Sequence, residues 1–117
     1  MNRRIVIVRE EGEKGEGYAK EFKSRLETDL KDEDQVQIET VLRYEDAEPI
    51  EPGCKVWFLS GKLSRQALGL KNARKEQVEV CVFSSVFNPE VTHEGVVFLD
   101  KNDAALPGFL GALATTD

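Results

Sequence analysis

The sequence holds few of the residues from which catalytic or metal centres are commonly built. One histidine and two cysteines occur in 117 residues. His93 stands before Glu94 in a loop-like stretch, and His93, Cys54 and Cys81 are too few to make a zinc site. Two cysteines cannot form the disulfide framework of a small secreted domain, so a reducing cytoplasm is the expected location. Cys81 lies inside an apolar run and reads as a small core residue, while Cys54, beside Lys55, is the candidate for a reactive thiol. No apolar stretch approaches the roughly 18 residues of a membrane span. The apolar run after Met1-Asn2-Arg3-Arg4 ends at Arg9, too soon for a signal peptide, and reads as a strand. Positive charge is also in deficit. Sixteen Lys and Arg face 22 Asp and Glu, a net charge of -6, which argues against nucleic acid or an anionic membrane as partner.

What the chain does have is uncharged apolar runs: Ile5 to Val8, Val56 to Leu59, Val80 to Phe83 and Val96 to Leu99. A strand with one wet face alternates apolar and polar residues, whereas a strand covered on both faces reads as continuous. These four runs predict buried parallel strands, with Val56-Trp57-Phe58-Leu59 near the middle. Val36, Ile38 and Thr40 alternate with Gln37 and Glu39, and predict an edge strand from Val36 to Tyr44.

Tyr18, Phe22, Leu26 and Leu30 repeat at spacings of four and predict a helix from about Gly17 to Lys31, ended by Asp32-Glu33-Asp34. Leu63, Ala67 and Leu70 predict a second helix, capped by Ser64 and ending at Asn72. Leu106, Phe109, Leu110 and Leu113 form the apolar face of a short last helix, with Pro107 in its first turn. The prolines and acids from Glu45 to Gly53 predict an extended connector, and Ser85 to Gly95 a loop. The expectation is one domain over 1–117, although the abrupt end at Thr115-Thr116-Asp117 also suits a piece of a longer protein. Its fold class is α/β: a single open five-stranded, largely parallel sheet in the order 2-1-3-4-5, with about three helices. That arrangement is flavodoxin-like. The β2–β3 and β4–β5 connections are expected to be loops, which either pack over the second sheet face or leave apolar surface for a partner.

In open α/β sheets ligands sit beyond the carboxyl ends of the strands. The predicted rim contains Glu10, Glu11, Tyr44, Ser60, Gly61, Lys62, Ser84 and Asp100-Lys101-Asn102. Gly12, Gly15 and Gly17 read as a solvated loop, because they do not spell G-x-G-x-x-G and four glutamates around them would repel a phosphate. Ser60, Gly61 and Lys62 are a stronger anion candidate, although the P-loop spacing is absent. Lys62, Arg65, Lys71, Arg74 and Lys75 form the chain's one basic patch, suited to an acidic partner. No metal, cofactor or catalytic set is expected from these spacings.

Several known families share parts of this layout. The stretch Ile5 to Glu11, the Tyr18/Phe22/Leu26 helix, Arg43-Tyr44-Glu45-Asp46 with Pro52-Gly53, and Phe58-Leu59-Ser60 fall in an order similar to TIR-type signalling domains, over about half the chain. The resemblance implies a signalling role. The glutamate that NAD-cleaving members carry after strand three has no counterpart from Leu63 to Leu70. Against response-regulator receivers, Ser60 stands where the phosphorylated aspartate belongs. Against flavodoxins, the loop after strand one lacks the hydroxyls that hold FMN.

The leading expectation is a non-catalytic interaction or regulatory module of the cytoplasm. It would bind a protein partner or its own copy through the basic residues and any uncovered sheet face, with neither nucleic acid nor membrane. The alternative is a small enzyme or sensor that binds a phosphate-bearing, nucleotide-like molecule at the rim. There Ser60, Gly61 and Lys62 would hold the anion, with Glu10 or Glu11 as acid/base.

Overall fold

Val56, Trp57 and Phe58 are completely buried, as a strand sandwiched between two layers must be. A computed structural model of the chain describes residues 3–30, 36–74, 77–85 and 95–116. The elements are β1 (Arg3–Val8), α1 (Gly12–Asp29), β2 (Val36–Val41), β3 (Lys55–Phe58), α2 (Ser64–Arg74), β4 (Glu79–Ser84), β5 (Val97–Asp100) and α3 (Phe109–Thr115). All five strands are parallel, in the order β2-β1-β3-β4-β5. The fold is therefore α/β and flavodoxin-like, as the apolar runs predict, with β3 in the centre and the half-wet β2 at one edge. No described helix is long and apolar enough to cross a membrane.

Alternate residues of each strand serve opposite faces. Ile5, Ile7, Trp57, Cys81 and Phe83 pack with Phe22 and Leu26 of α1 and with Leu110 and Ala114 of α3. An aromatic cluster lies at the centre of this layer, where Phe22 meets Trp57 at 6.0 Å and Phe83 at 5.1 Å in edge-to-face contacts, the arrangement ring quadrupoles favour. Val6, Val8, Val56, Phe58, Val80 and Val82 face the other way, against Ala67 and Leu70 of α2.

Among the described residues the second face is covered by α2 and by the β2–β3 connector. It begins as a 3₁₀ turn, Tyr44–Ala47, and buries Ala47, Ile50 and Cys54 in the same cluster. Arg4 ties it down, donating to the carbonyls of Ala47 and Pro49 and pairing with Glu39. Of the two arrangements open to this face, the loop packs over it. Among the described residues the exposed large apolar side chains are Leu42, Val97 and Leu106, well apart in sequence. The described strand residues of this face, Val6, Val8, Val56, Phe58, Val80 and Val82, are all buried.

Several boundaries differ from the expected ones. The Gly12/Gly15/Gly17 stretch is no loop but the first turns of α1. Gly12 enters the helix at φ +93°, and a side chain at Gly15 would meet the Glu10 carbonyl, so these glycines serve helix entry and close packing. β2 ends at Val41, and α2 runs past Asn72 to Arg74. Leu106 is exposed and precedes α3, whose buried residues are Leu110, Gly111 and Ala114. Asp32-Glu33-Asp34 and, of the stretch from Ser85 to Gly95 expected to be a loop, positions 86–94 with His93 lie outside the described residues.

Candidate functional site

β1 and β3 are neighbours, yet the chain leaves them in opposite directions: from β1 to α1 on one face, and from β3 to α2 on the other. The crevice beyond their carboxyl ends is the topological switch point, where ligands bind in open α/β sheets. The ladder continues one step past the strands, with Leu59 N–H donating to the Val8 carbonyl at 3.0 Å. This places Glu10 and Ser60 side by side. The buried Ser60 donates its hydroxyl to Glu10 Oε1 at 2.9 Å. Ser60 Oγ in turn accepts the Lys62 backbone N–H at 3.1 Å, which caps the 3₁₀ turn Gly61–Leu63 leading into α2. Ser60 is therefore the capping residue; Ser64 Oγ instead donates to the Gly61 carbonyl at 2.6 Å.

Gly61 lies against Ser84 at the end of β4. A Cβ there would stand 2.9 Å from Ser84 Oγ, so only glycine fits without displacing that hydroxyl. The structure thus brings Glu10, Ser60, Gly61 and Ser84 together at the rim. Glu11 is not among them; it is exposed and precedes α1 without a side-chain cap. Lys101 lies over the Tyr18 ring, 4.4 Å from its centroid. Burial pushes the Tyr18 phenol above its ordinary value, and its hydroxyl has no partner among the described residues.

The basic patch does not hold together as a surface. Lys62 and Arg65 are exposed, and no ion pair engages them among the described residues. Lys71 is buried, donating to the Val78 carbonyl at 3.0 Å, with its stem against Gly95. Arg74 binds both carboxylate oxygens of Glu48. Lys75 lies outside the described residues. A run of like charges on a helix says nothing about which side chains face inward, and here α2 turns Lys71 into the fold.

Neither cysteine offers an accessible thiol. Cys54 is buried at the amino end of β3, and burial pushes the Cys81 thiol up to about 12. Among the described residues no group of three His, Cys, Asp or Glu could hold a metal ion.

Two charged residues do structural work that the sequence did not announce. Asp29, the last residue of α1, accepts the N–H groups of Gly108 and Gly111 at the start of α3. Lys55 is buried at the amino end of β3, bound to Glu79 at 2.6 Å and to the Thr116 carbonyl at 2.7 Å. The only signal for either was a charge next to an apolar run. A groove of about 260 Å³ beside Asp29 runs between α1 and Ala104–Pro107. Family models, curated proteins and solved structures yield no match to this chain.

Proposed function

We propose that this chain is a non-catalytic interaction module that docks the start of α2 on an acidic surface of a protein partner. The observation that carries the reading is the internal pairing of the rim. Ser60 donates its hydroxyl to Glu10 and accepts the Lys62 N–H, so that hydroxyl and that amide are already engaged within the chain. Glu10 adds a carboxylate that repels phosphate. What remains available is the pair Lys62 and Arg65, exposed on a protein of net charge -6. Such a cationic spot steers an oppositely charged surface and fixes its orientation. A regulatory or signalling role in the reducing cytoplasm suits two free, buried thiols.

Titration with poly-glutamate, followed by amide chemical shifts, tests the reading. It expects shifts clustered at Lys62 and Arg65 that vanish in high salt and in Lys62→Glu/Arg65→Glu. No shift at low salt refutes it. A second reading is supported by location alone: the Ser60 turn occupies the switch point, where a nucleotide-like ligand would sit. ATP or inorganic phosphate would then shift Glu10, Ser60 and Gly61 instead.

A further inference from the structure

β2 closes one side of the sheet, and no strand lies beyond it among the described residues. Its six residues, Val-Gln-Ile-Glu-Thr-Val, contain no proline, glycine or lysine, the devices by which edge strands ordinarily refuse a neighbour. Its one charge, Glu39, is neutralised within the chain by Arg4. The Val41 carbonyl accepts the Arg9 N–H, so the backbone groups of Gln37, Glu39 and Val41 point toward β1. By the alternation of a strand, those of Val36, Ile38 and Thr40 point outward.

We propose that this edge pairs antiparallel with β2 of a second copy of the chain, about a two-fold axis, joining two sheets into one. The symmetry itself narrows the register. Opposed residues must lie on the same face of the sheet, so only residues an even number apart, or a residue and its own copy, can face each other. Centring the axis on Glu39 sets two carboxylates in opposition. Centring it on Ile38 sets Ile38 against itself, Val36 against Thr40 and Gln37 against Glu39. The first two are outward-facing pairs that exchange both backbone hydrogen bonds. The third sets an amide donor against a carboxylate, and every pair is compatible. The strand is complementary to itself in that register, and this self-complementarity is the ground for taking another copy as the occupant. This surface is separate from Lys62 and Arg65, and its salt response has the opposite sign. Two molecules of net charge -6 repel, so salt strengthens the pairing.

Sedimentation velocity across concentration, at low and high salt, provides the test. The expected result is a dimer that tightens with salt. In amide exchange, Val36, Ile38 and Thr40 gain protection with concentration, while Gln37 and Glu39 are protected throughout. Thr40 is exposed and its N–H points away from β1, so Thr40→Pro leaves the internal ladder intact and weakens the dimer about tenfold or more. Gln37→Glu opposes Glu39 and also weakens it, whereas Gln37→Lys does not, a contrast that holds even if the proline variant fails to fold. A wild type that stays monomeric at every concentration overturns the proposal. So does a dimer indifferent to both Thr40→Pro and Gln37→Glu.

Discussion

The carboxylate of Asp29 accepts the N–H of Gly111 at 3.0 Å, across 82 positions of sequence. Its other oxygen accepts the Gly108 N–H at 3.3 Å. One helix ends by capping the beginning of another, and α3, too short to be stable alone, is held by its neighbour's last side chain.

Asp29→Ala therefore destabilises the fold by about 1 kcal/mol, the usual worth of a helix cap. Gly111→Ala costs about 1–3 kcal/mol, since a Cβ there would stand 2.8 Å from Asp29 Cβ. Urea midpoints measure both. A neutral Asp29→Ala would mean that water replaces the cap without loss.

Ser60→Ala leaves Glu10 and the Lys62 amide without their shared partner, and costs about 1–2 kcal/mol in the same measurement. The Lys62 amide resonance should move in the variant, as its N–H loses the hydroxyl.

The folded state holds the proton on Cys81 to about pH 12, against an ordinary value of 9.0, first through burial and then through Glu79. The unfolded chain releases it near pH 9. This contribution is complete below pH 9 and is lost as pH rises toward 12, at about 1.4 kcal/mol per pH unit. The raised Tyr18 phenol acts with the same sign. The difference between wild type and Cys81→Ala across that window isolates the thiol. Equal slopes for the two proteins would contradict it.

Charge reversal along α2 and the turn before it should divide by burial rather than by sequence. Lys62→Glu and Arg65→Glu leave stability within about 0.5 kcal/mol, as exposed substitutions do. Lys71→Glu costs about 3 kcal/mol or more, because it puts a carboxylate where Lys71 Nζ now serves the Val78 carbonyl. Thermal melts of the three variants decide the matter.

The layout of the sheet was legible because burial on both faces leaves a mark in the sequence. Ile5–Val8 and Val80–Phe83 show no polar alternation, and β2 does. The rim residues followed from topology, so Ser60 and Glu10 could be named, though not the hydrogen bond that joins them. Charges on helices were less legible. Lys71 and Arg65 look alike in sequence, and only the rotation of α2 against β4 separates them. The glycines of α1 misled for a related reason. A glycine marks either a loop or a place where backbone must approach backbone, and Gly15 is the second kind, a distinction that exists only once Glu10 is in position.

The single tryptophan sits in β3 in edge-to-face contact with Phe22 and Phe83. The molecule consequently carries its own optical reporter at the centre of the sheet. Its emission should be blue, inaccessible to iodide and matched by a sharp near-ultraviolet dichroic band. Each of these signals fades when α1 lifts from β3, before any secondary structure need be lost.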